Sequence, residues 1–595
     1  MARFGFVGPT YSSESSHADA QRCVNWFVEI DESGAGVSPL MLYDREGMSV
    51  FANLPGENAV LSITTLNGRT FAIGANLWEI FADGTANLLD KLSGQAGPAY
   101  IVGNNAYQLA ISSGGNLYIY NTKTNQITVA ATGQGPVSRV VFIDGYFACL
   151  IANSQKWQIS ALEDGTQWNG GDVAQVSVFP DNILGILADH REIWLFGNTR
   201  TVVYYNSGSN DFPFSPIPGG TLEQGIDAPD SPVRLDNSVF WLGGDERGHG
   251  IGWRANGYVP VRVSNHAVEK EWQSYATIAD AVGYARQTNG HSCWVLWFPT
   301  ADKTWVFDCA TNMWHEETFF INGKHTAHRA RCHCFAFGMH LVGDRASGTI
   351  YQTSNKFFTD FGNPIARMRR APHITKELLW TDHKMMQVHV EVGNGPEIPL
   401  TGTPIGYPQL VVTDSNGTQW AIVVNDDGSL LATETDGTLK SQTLIVQDKD
   451  VPGSFYTITI DALHDVTTVP VAAPGGGWYK SLQMITVGGK QTELFVSDGV
   501  LASTAGYMCA RGPQIILRWS DDGGHTWVDN RVKDLGQEGE FRKRAYWNRL
   551  GRSRDRIYEL TFADPTPCRI MDAYLDANPD FQPTQRLSDM LRKGA

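Results

Sequence analysis

The sequence predicts an all-β protein: a β-propeller of six or seven blades, plus a C-terminal β-sandwich or barrel module containing an inserted small β domain. Three observations predict it. The 595 residues include 61 Gly and 27 Pro, and 11% are aromatic, which supplies turn formers and stiff strand formers without the Ala/Glu/Lys/Leu runs of helical proteins. Between residues 60 and 351 one theme recurs every ~40 to 50 residues, the interval of propeller blades. After residue 370 the chain turns rich in Thr, Gly, Val and Asp, with turn signals between short Val/Ile strands.

A chain of this length exceeds one ordinary core, so two to four domains are expected unless one is a large closed β architecture. Residues 1–58 read as an N-terminal arm. Its start, Met1-Ala2-Arg3-Phe4-Gly5-Phe6, lacks an apolar segment of signal-peptide length. No later stretch approaches the ~20 apolar residues of a membrane span. The expectation is a soluble protein made in the cytoplasm, with no membrane contact.

Residues 59–365 carry the blades. In the first unit Asn67-Gly68 precedes the strand at 70–73, and the strand at 77–81 precedes Asp83-Gly84. The second pairs 107–111 with 117–120, the third opens at 142–147, and the fourth holds 192–196 with 202–205. Three more begin around 239–242, 293–298 and 335–337. Several of these strands are apolar on both faces, as expected where neighbouring blades cover each sheet. A tandem of β-sandwiches is the alternative. His266 to Trp272 reads as a helical turn between blades.

Arg367-Met368-Arg369-Arg370 marks the change of composition. A β module is expected over 366–395 and 508–575, interrupted by an inserted domain at 396–507. The insert's turn signals are Asp414-Ser415-Asn416-Gly417, Asn425-Asp426-Asp427-Gly428 and Pro474-Gly475-Gly476-Gly477, spaced as in a sandwich. A polar tail is expected at 576–595, with its last dozen residues helical or disordered.

The formal charge of -16 argues against a surface built to clamp nucleic-acid phosphates, because that affinity comes from Lys and Arg displacing counterions. An acidic wall suits DNA in transit better than DNA captured; ordinary solubility is the simpler reading. The eight cysteines, Cys23, Cys149, Cys293, Cys309, Cys332, Cys334, Cys509 and Cys568, lack a disulfide-scaffold spacing, so reduced buried thiols are expected.

Three clusters invite chemistry. Ser520-Asp521-Asp522-Gly523-Gly524-His525-Thr526-Trp527 fits the Asp box hairpin of sialidase-like propellers, with Ser520, Asp522, Gly524, Thr526 and Trp527 at the motif positions. Its carboxylates serve the turn's own amides, its glycines permit positive φ, and Trp527 packs across the hairpin, so the roles are folding roles. A glycosidase needs paired carboxylates, and no spacing here supplies them. His325, His328, Cys332, His333, Cys334 and His340 form the richest ligand-like cluster, but their spacing matches no common zinc pattern, and core side chains are the simpler reading. Arg542, Lys543, Arg544, Arg549, Arg552, Arg554 and Arg556 follow the Asp box; they read either as a solvated face paired with Glu538, Glu540, Asp555 and Glu559 or as a docking surface. Nucleotide loops, nucleophile elbows and zincin helices are absent from the sequence, so neither cofactor nor enzymatic activity is expected.

The run from Pro513 to Trp527, followed by Gly539-Glu540-Phe541-Arg542, Trp547-Asn548-Arg549-Leu550-Gly551-Arg552-Ser553-Arg554-Asp555-Arg556 and Asp564-Pro565, resembles the C-terminal signature of the packaged-DNA stabilisation proteins, the tail hub or nozzle proteins of short-tailed bacteriophages. Residues 19–26, Trp194-Leu195-Phe196-Gly197-Asn198, and Phe240-Trp241-Leu242-Gly243 through Pro260-Val261-Arg262-Val263-Ser264 agree with it. The likeness spans most of 10–370 and 508–573, and the insert departs from the family's shorter members. The resemblance implies a homohexameric ring below the portal and head-to-tail adaptor that seals packaged double-stranded DNA and later forms its exit channel, without sequence-specific binding. Tail fibres or spikes and a tail plug or needle are the further partners it implies, and the virion tail, assembled in the host cytoplasm, the location. Our own expectation is that Arg542, Arg544, Arg549, Arg552, Arg554 and Arg556, with the 1–58 arm, form an adaptor-facing assembly interface, and that the insert lies at a distal tip or outer decoration. A receptor- or glycan-binding tail protein is the alternative.

Overall fold

The computed structural model describes residues 2–391 except 93–96, 178–179 and 246–247; 411–503 except 415, 425–428, 436–444, 449–450, 452–453, 462–464, 473–481, 486–490 and 498–499; and 513–579 except 537–541. The chain divides into two compact units, one of 1–391, 515–533 and 544–595, the other of 392–514 and 534–543.

In the first unit, seven four-stranded antiparallel sheets form a propeller. Blade one runs Ser62–Leu66, Arg69–Ile73, Asn76–Ile80 and Ala86–Lys91. The next six blades open at Ala99–Gly103, Val137–Ile143, Gly185–Asp189, Val233–Leu235, Val282–Thr288 and Ala330–Ala336. Local sequence makes the hairpins: Asn67 and Gly68, at φ 52° and 76°, close the two-residue turn that sets Leu66 opposite Arg69. Strand His291–Phe298 of blade six is buried at every position, which fits a sheet covered on both faces.

The seventh blade has three strands of its own and borrows its fourth. Strand Gly47–Asn53 pairs antiparallel with Thr349–Ser354, from Gly47 opposite Ser354 to Asn53 opposite Thr349. The ring is thus completed by a segment that precedes its first blade. Closure by a distant strand covers an edge that sequential hairpins would leave open, and it extends the propeller upstream of the 59–365 span expected from sequence.

The same unit holds a β-sandwich. Its first sheet continues blade six: Met313–Glu316 meets Ala20–Val24 in parallel at Glu316 and Val24, and Arg367–Arg370, Asp555–Phe562 and Gln514–Ser520 follow. The second sheet orders Trp26–Ile30, Leu40–Asp44, Ile570–Pro579, Thr381–Val390 and Ala545–Asn548. Trp26, Met386, Leu517, Leu560, Phe562 and Ile570 are buried in this module. Strand Ile570–Pro579 runs past residue 576, where a tail was expected; 580–595 lie outside the described residues.

Asn25 carries the chain from one sheet to the other. At φ 57° it takes a left-handed conformation that Asn tolerates better than most residues. Its amide oxygen accepts from Thr318 N at 2.8 Å and Arg45 Nε at 2.8 Å, and its Nδ2 donates to Ala366 O at 2.7 Å and Thr318 Oγ1 at 2.9 Å. The amide is buried and satisfied at both ends.

Helix His266–Gln273 forms where a helical turn was expected. Asn265 caps it, accepting from Val268 N at 3.0 Å, and Trp272 on the inner face is fully buried.

The second unit differs from the two facing sheets its turns suggested. Three three-stranded antiparallel meanders, opening at Val411–Thr413, Ile445–Gln447 and Leu482–Ile485, share one core around Val412, Trp420, Ile422, Val446, Ile458, Leu494 and Val496. Strands this short present few apolar side chains each, so three small sheets enclose a core that one pair would leave open.

Candidate assembly surface and propeller axis

The Asp box closes on itself. Ser520 Oγ donates to Asp522 Oδ1 at 2.7 Å and accepts from Gly524 N at 2.8 Å. Asp522 accepts from Thr526 N at 2.8 Å and Thr526 Oγ1 at 2.6 Å. These bonds, Thr526's first, hold the half-buried Asp522 carboxyl well below the usual carboxylate range. Trp527 donates Nε1 to Gly524 O at 3.0 Å. Its ring has the guanidinium of Arg370 at 4.7 Å and that of Arg518 at 4.8 Å. Both arginines bind the fully buried Glu559, at 2.9 and 2.6 Å. The hairpin is clamped to the sandwich through those two cations, and each motif residue is used in folding.

The arginine run separates into two populations. Arg542, Arg544, Arg549, Arg552 and Arg554 are exposed, Arg542 in the second unit and the other four in the first. Arg556 is buried, so it cannot belong to an exposed docking face, where it was grouped from sequence. Its Nε and Nη2 donate to Asp521 at 2.6 and 2.8 Å and its Nη1 to Leu550 O at 2.6 Å, while its guanidinium lies 5.0 Å from the Trp519 ring. The first Asp of the box, Asp521, thereby anchors the hairpin to the strand behind it.

The Arg367–Arg370 segment is also structural. Arg367 pairs with Asp44 at 2.6 Å. Arg369 is fully buried and donates to the carbonyls of Phe6, Pro9 and Arg22 and to Gln21 Oε1. Burial lowers its pKa to about 10, and the cation is solvated by the N-terminal arm, not by a carboxylate.

Along the propeller axis the inner strands of all seven blades enclose a space of about 550 Å³. Tyr100 of blade two and Arg139 of blade three meet Asp230, which lies ahead of blade five on the opposite side of the ring. The Arg139 guanidinium stacks 4.1 Å from the Tyr100 ring and donates to Pro229 O at 2.8 Å. The axis is bridged by side chains. No local pattern in the sequence marks these three residues, since only ring closure brings them together.

The Cys/His cluster does not converge on one point. Cys332 and His333 line the axial space, and His333 Nε2 lies 3.0 Å from His340 Nδ1. His325 contacts Thr318 Oγ1 at 2.8 Å, and His328 Nδ1 accepts from Ala330 N at 3.3 Å. Burial pushes the Cys332 thiol up to about 12 and the Cys334 thiol up to about 11. Among the described residues no group of three His, Cys, Asp or Glu side chains could hold a metal ion. Cys509 lies outside the described residues; the other seven cysteines are free thiols.

A seven-bladed propeller fused through one blade to a β-sandwich, with its cations spent on clamping or set out on a surface, is a structural scaffold. A family model described as bacteriophage P22 Gp10, β-propeller, matches residues 8–357, and a second, bacteriophage P22 Gp10, β-sandwich, matches 483–578. The chain belongs to the bacteriophage P22 Gp10 family and is a structural protein of the phage tail. None of the curated proteins matches it in sequence. Solved structures include the extracellular domain of the one-component system BT4673 from B. thetaiotaomicron (8% identity, 76% of this chain and 64% of that one, TM-score 0.36). Others are the designed protein Ika8 (11%, 51% and 99%, TM-score 0.32) and the N-terminal domain of Nup159 (8%, 56% and 98%, TM-score 0.35). The chain thus spans less than two thirds of the BT4673 domain, and at these TM-scores none of the three adds to what the strand pairing shows.

Proposed function

We propose that the chain forms a homohexameric nozzle, or tail hub, below the portal and head-to-tail adaptor, where it seals the packaged duplex and later forms its exit channel. The bridged propeller axis carries this reading. The side chains of Tyr100, Asp230 and Arg139 join across that axis, so a duplex has no passage along it. A DNA path must then be enclosed by several copies rather than threaded through one, and a closed ring is the symmetric solution. The -16 charge suits a lumen that conducts DNA without holding it. The work is assembly, not catalysis, in a virion tail put together in the host cytoplasm.

The sandwich edge bearing Arg544, Arg549, Arg552 and Arg554, with the N-terminal arm, is proposed to meet the adaptor; fibres or spikes and a plug or needle are the other proposed neighbours. A glycosidase-like role draws no support from the axis. Among its lining residues Asp230 is the sole carboxylate, and it is already engaged, whereas glycoside cleavage needs two. Reversing Arg549, Arg552 and Arg554 to Glu together is expected to block tail assembly while leaving the monomer's melting unchanged. Normal infectious particles from that variant would refute the docking role.

A further inference from the structure

The sandwich edge carries a patch that its core and the Asp box leave unused. Thr381 stands opposite Ser553 and Asp382 opposite Arg552, which sets Trp380 beside Arg554. The Trp380 ring lies 5.1 Å from the Arg554 guanidinium and 5.9 Å from that of Arg552. Trp380 is nevertheless 48% exposed, and Leu378 is 67% exposed. Tyr546, 43% exposed, stands on strand Ala545–Asn548, the last of its sheet among the described residues, with Arg549 following it.

The loop that presents these side chains is strained. Glu377 and Leu378 are both left-handed, at φ 52° and 55°. Two other consecutive non-glycine pairs, His190–Arg191 and Asp236–Asn237, also have positive φ, and each closes a two-residue hairpin whose twist demands it. Glu377–Leu378 likewise closes a tight turn, with Leu379 N donating to Lys376 O at 2.9 Å, between Ile374–Thr375, paired with the first sheet, and Thr381–Val390 of the second. A left-handed leucine costs on the order of 1 kcal/mol or more, and here it gains no burial. Leu378 and Trp380 are thus presented to solvent beside two arginines.

We propose that Leu378 and Trp380 anchor an acidic polypeptide segment of another virion protein, with Arg549, Arg552 and Arg554 facing its carboxylates. This rests on the reading of the arginine-bearing edge as an assembly surface. Charge complementarity selects the occupant: Arg549, Arg552 and Arg554 make the patch cationic, so a carboxylate-rich segment is attracted to it. Trp and Arg are also the side chains that dominate binding energy at interfaces. Duplex DNA would satisfy the arginines but leave Leu378 and Trp380 in water, since phosphate contacts use cations and polar donors.

The test places the photocrosslinker p-benzoylphenylalanine at position 378 in assembled particles, followed by irradiation and mass spectrometry of the joined peptides. A crosslink to a carboxylate-rich peptide of a different virion protein is expected. A crosslink to a second copy of this chain, a crosslink to DNA, or no crosslink from particles that contain the chain would each overturn the proposal. Particles lacking the chain altogether would instead overturn the tail-protein reading. In parallel, Trp380→Ala and Leu378→Glu, both at exposed positions, should lower infectious titre roughly thirtyfold, the scale of an interface hot spot, with unchanged monomer melting. An unchanged titre from both variants refutes the anchor.

Discussion

Asn25 shows how much of this molecule rests on single buried polar residues. It combines a left-handed backbone with four hydrogen bonds, three to residues 318 and 366 and one from Arg45. Asn25→Ala should cost about 4 kcal/mol, because Arg45 Nε, the Thr318 amide and the Ala366 carbonyl lose buried partners; Asn25→Gly, which relieves only the backbone, should recover ~1 kcal/mol of that. Denaturant unfolding of both variants checks the split. His291 offers a pH test at the same scale. It bridges Asp308 and Glu29 at 2.8 Å each, joining blade six to the second sheet of the sandwich. Hydrogen bonding to Asp308, opposed by burial, raises its pKa to about 9. A raised folded-state value means the contribution is complete below pH ~6.5, the unfolded value, and is lost as pH climbs through about 9. The wild type should therefore lose more melting temperature between pH 7 and 10 than His291→Gln does; equal losses would contradict the bridge. The Asp box was legible in the sequence because its partners lie within eight residues. Arg556 was not: its partner Asp521 is 35 residues away, and a run of arginines shows charge without showing burial.

At the scale of elements, repeats and turns announced the blades, whereas the closing strand left no mark. Gly47–Asn53 lies within the span expected to be an arm, and only its pairing with Thr349–Ser354 makes it the fourth strand of blade seven and fixes the count at seven. The three meanders of the second unit were hidden for a related reason: turn signals show where strands end, not which strands share a sheet. Contacts between blades depend on close backbone approach. A Cβ at Gly243, on blade five, would stand 2.0 Å from Gly225 O, in the segment that links blades four and five. Because a backbone carbonyl cannot turn aside as a side chain can, Gly243→Ala should destabilise the propeller by about 3 kcal/mol. Thermal melting or limited proteolysis would register that loss, and a wild-type profile would show that the seam tolerates movement.

For the whole molecule, a closed propeller leads to the proposed ring of copies. Fold class and family were legible because the C-terminal signature and the blade period are local in sequence; the blocked axis was not, because Tyr100, Arg139 and Asp230 meet only after all seven blades have closed. That block is the physical reason for assigning the DNA path to an assembly. The most direct test is native mass spectrometry of the purified chain mixed with the adaptor ring. Six copies bound to the adaptor are predicted. A monomer or trimer that ignores the adaptor and binds host glycan instead would contradict the account.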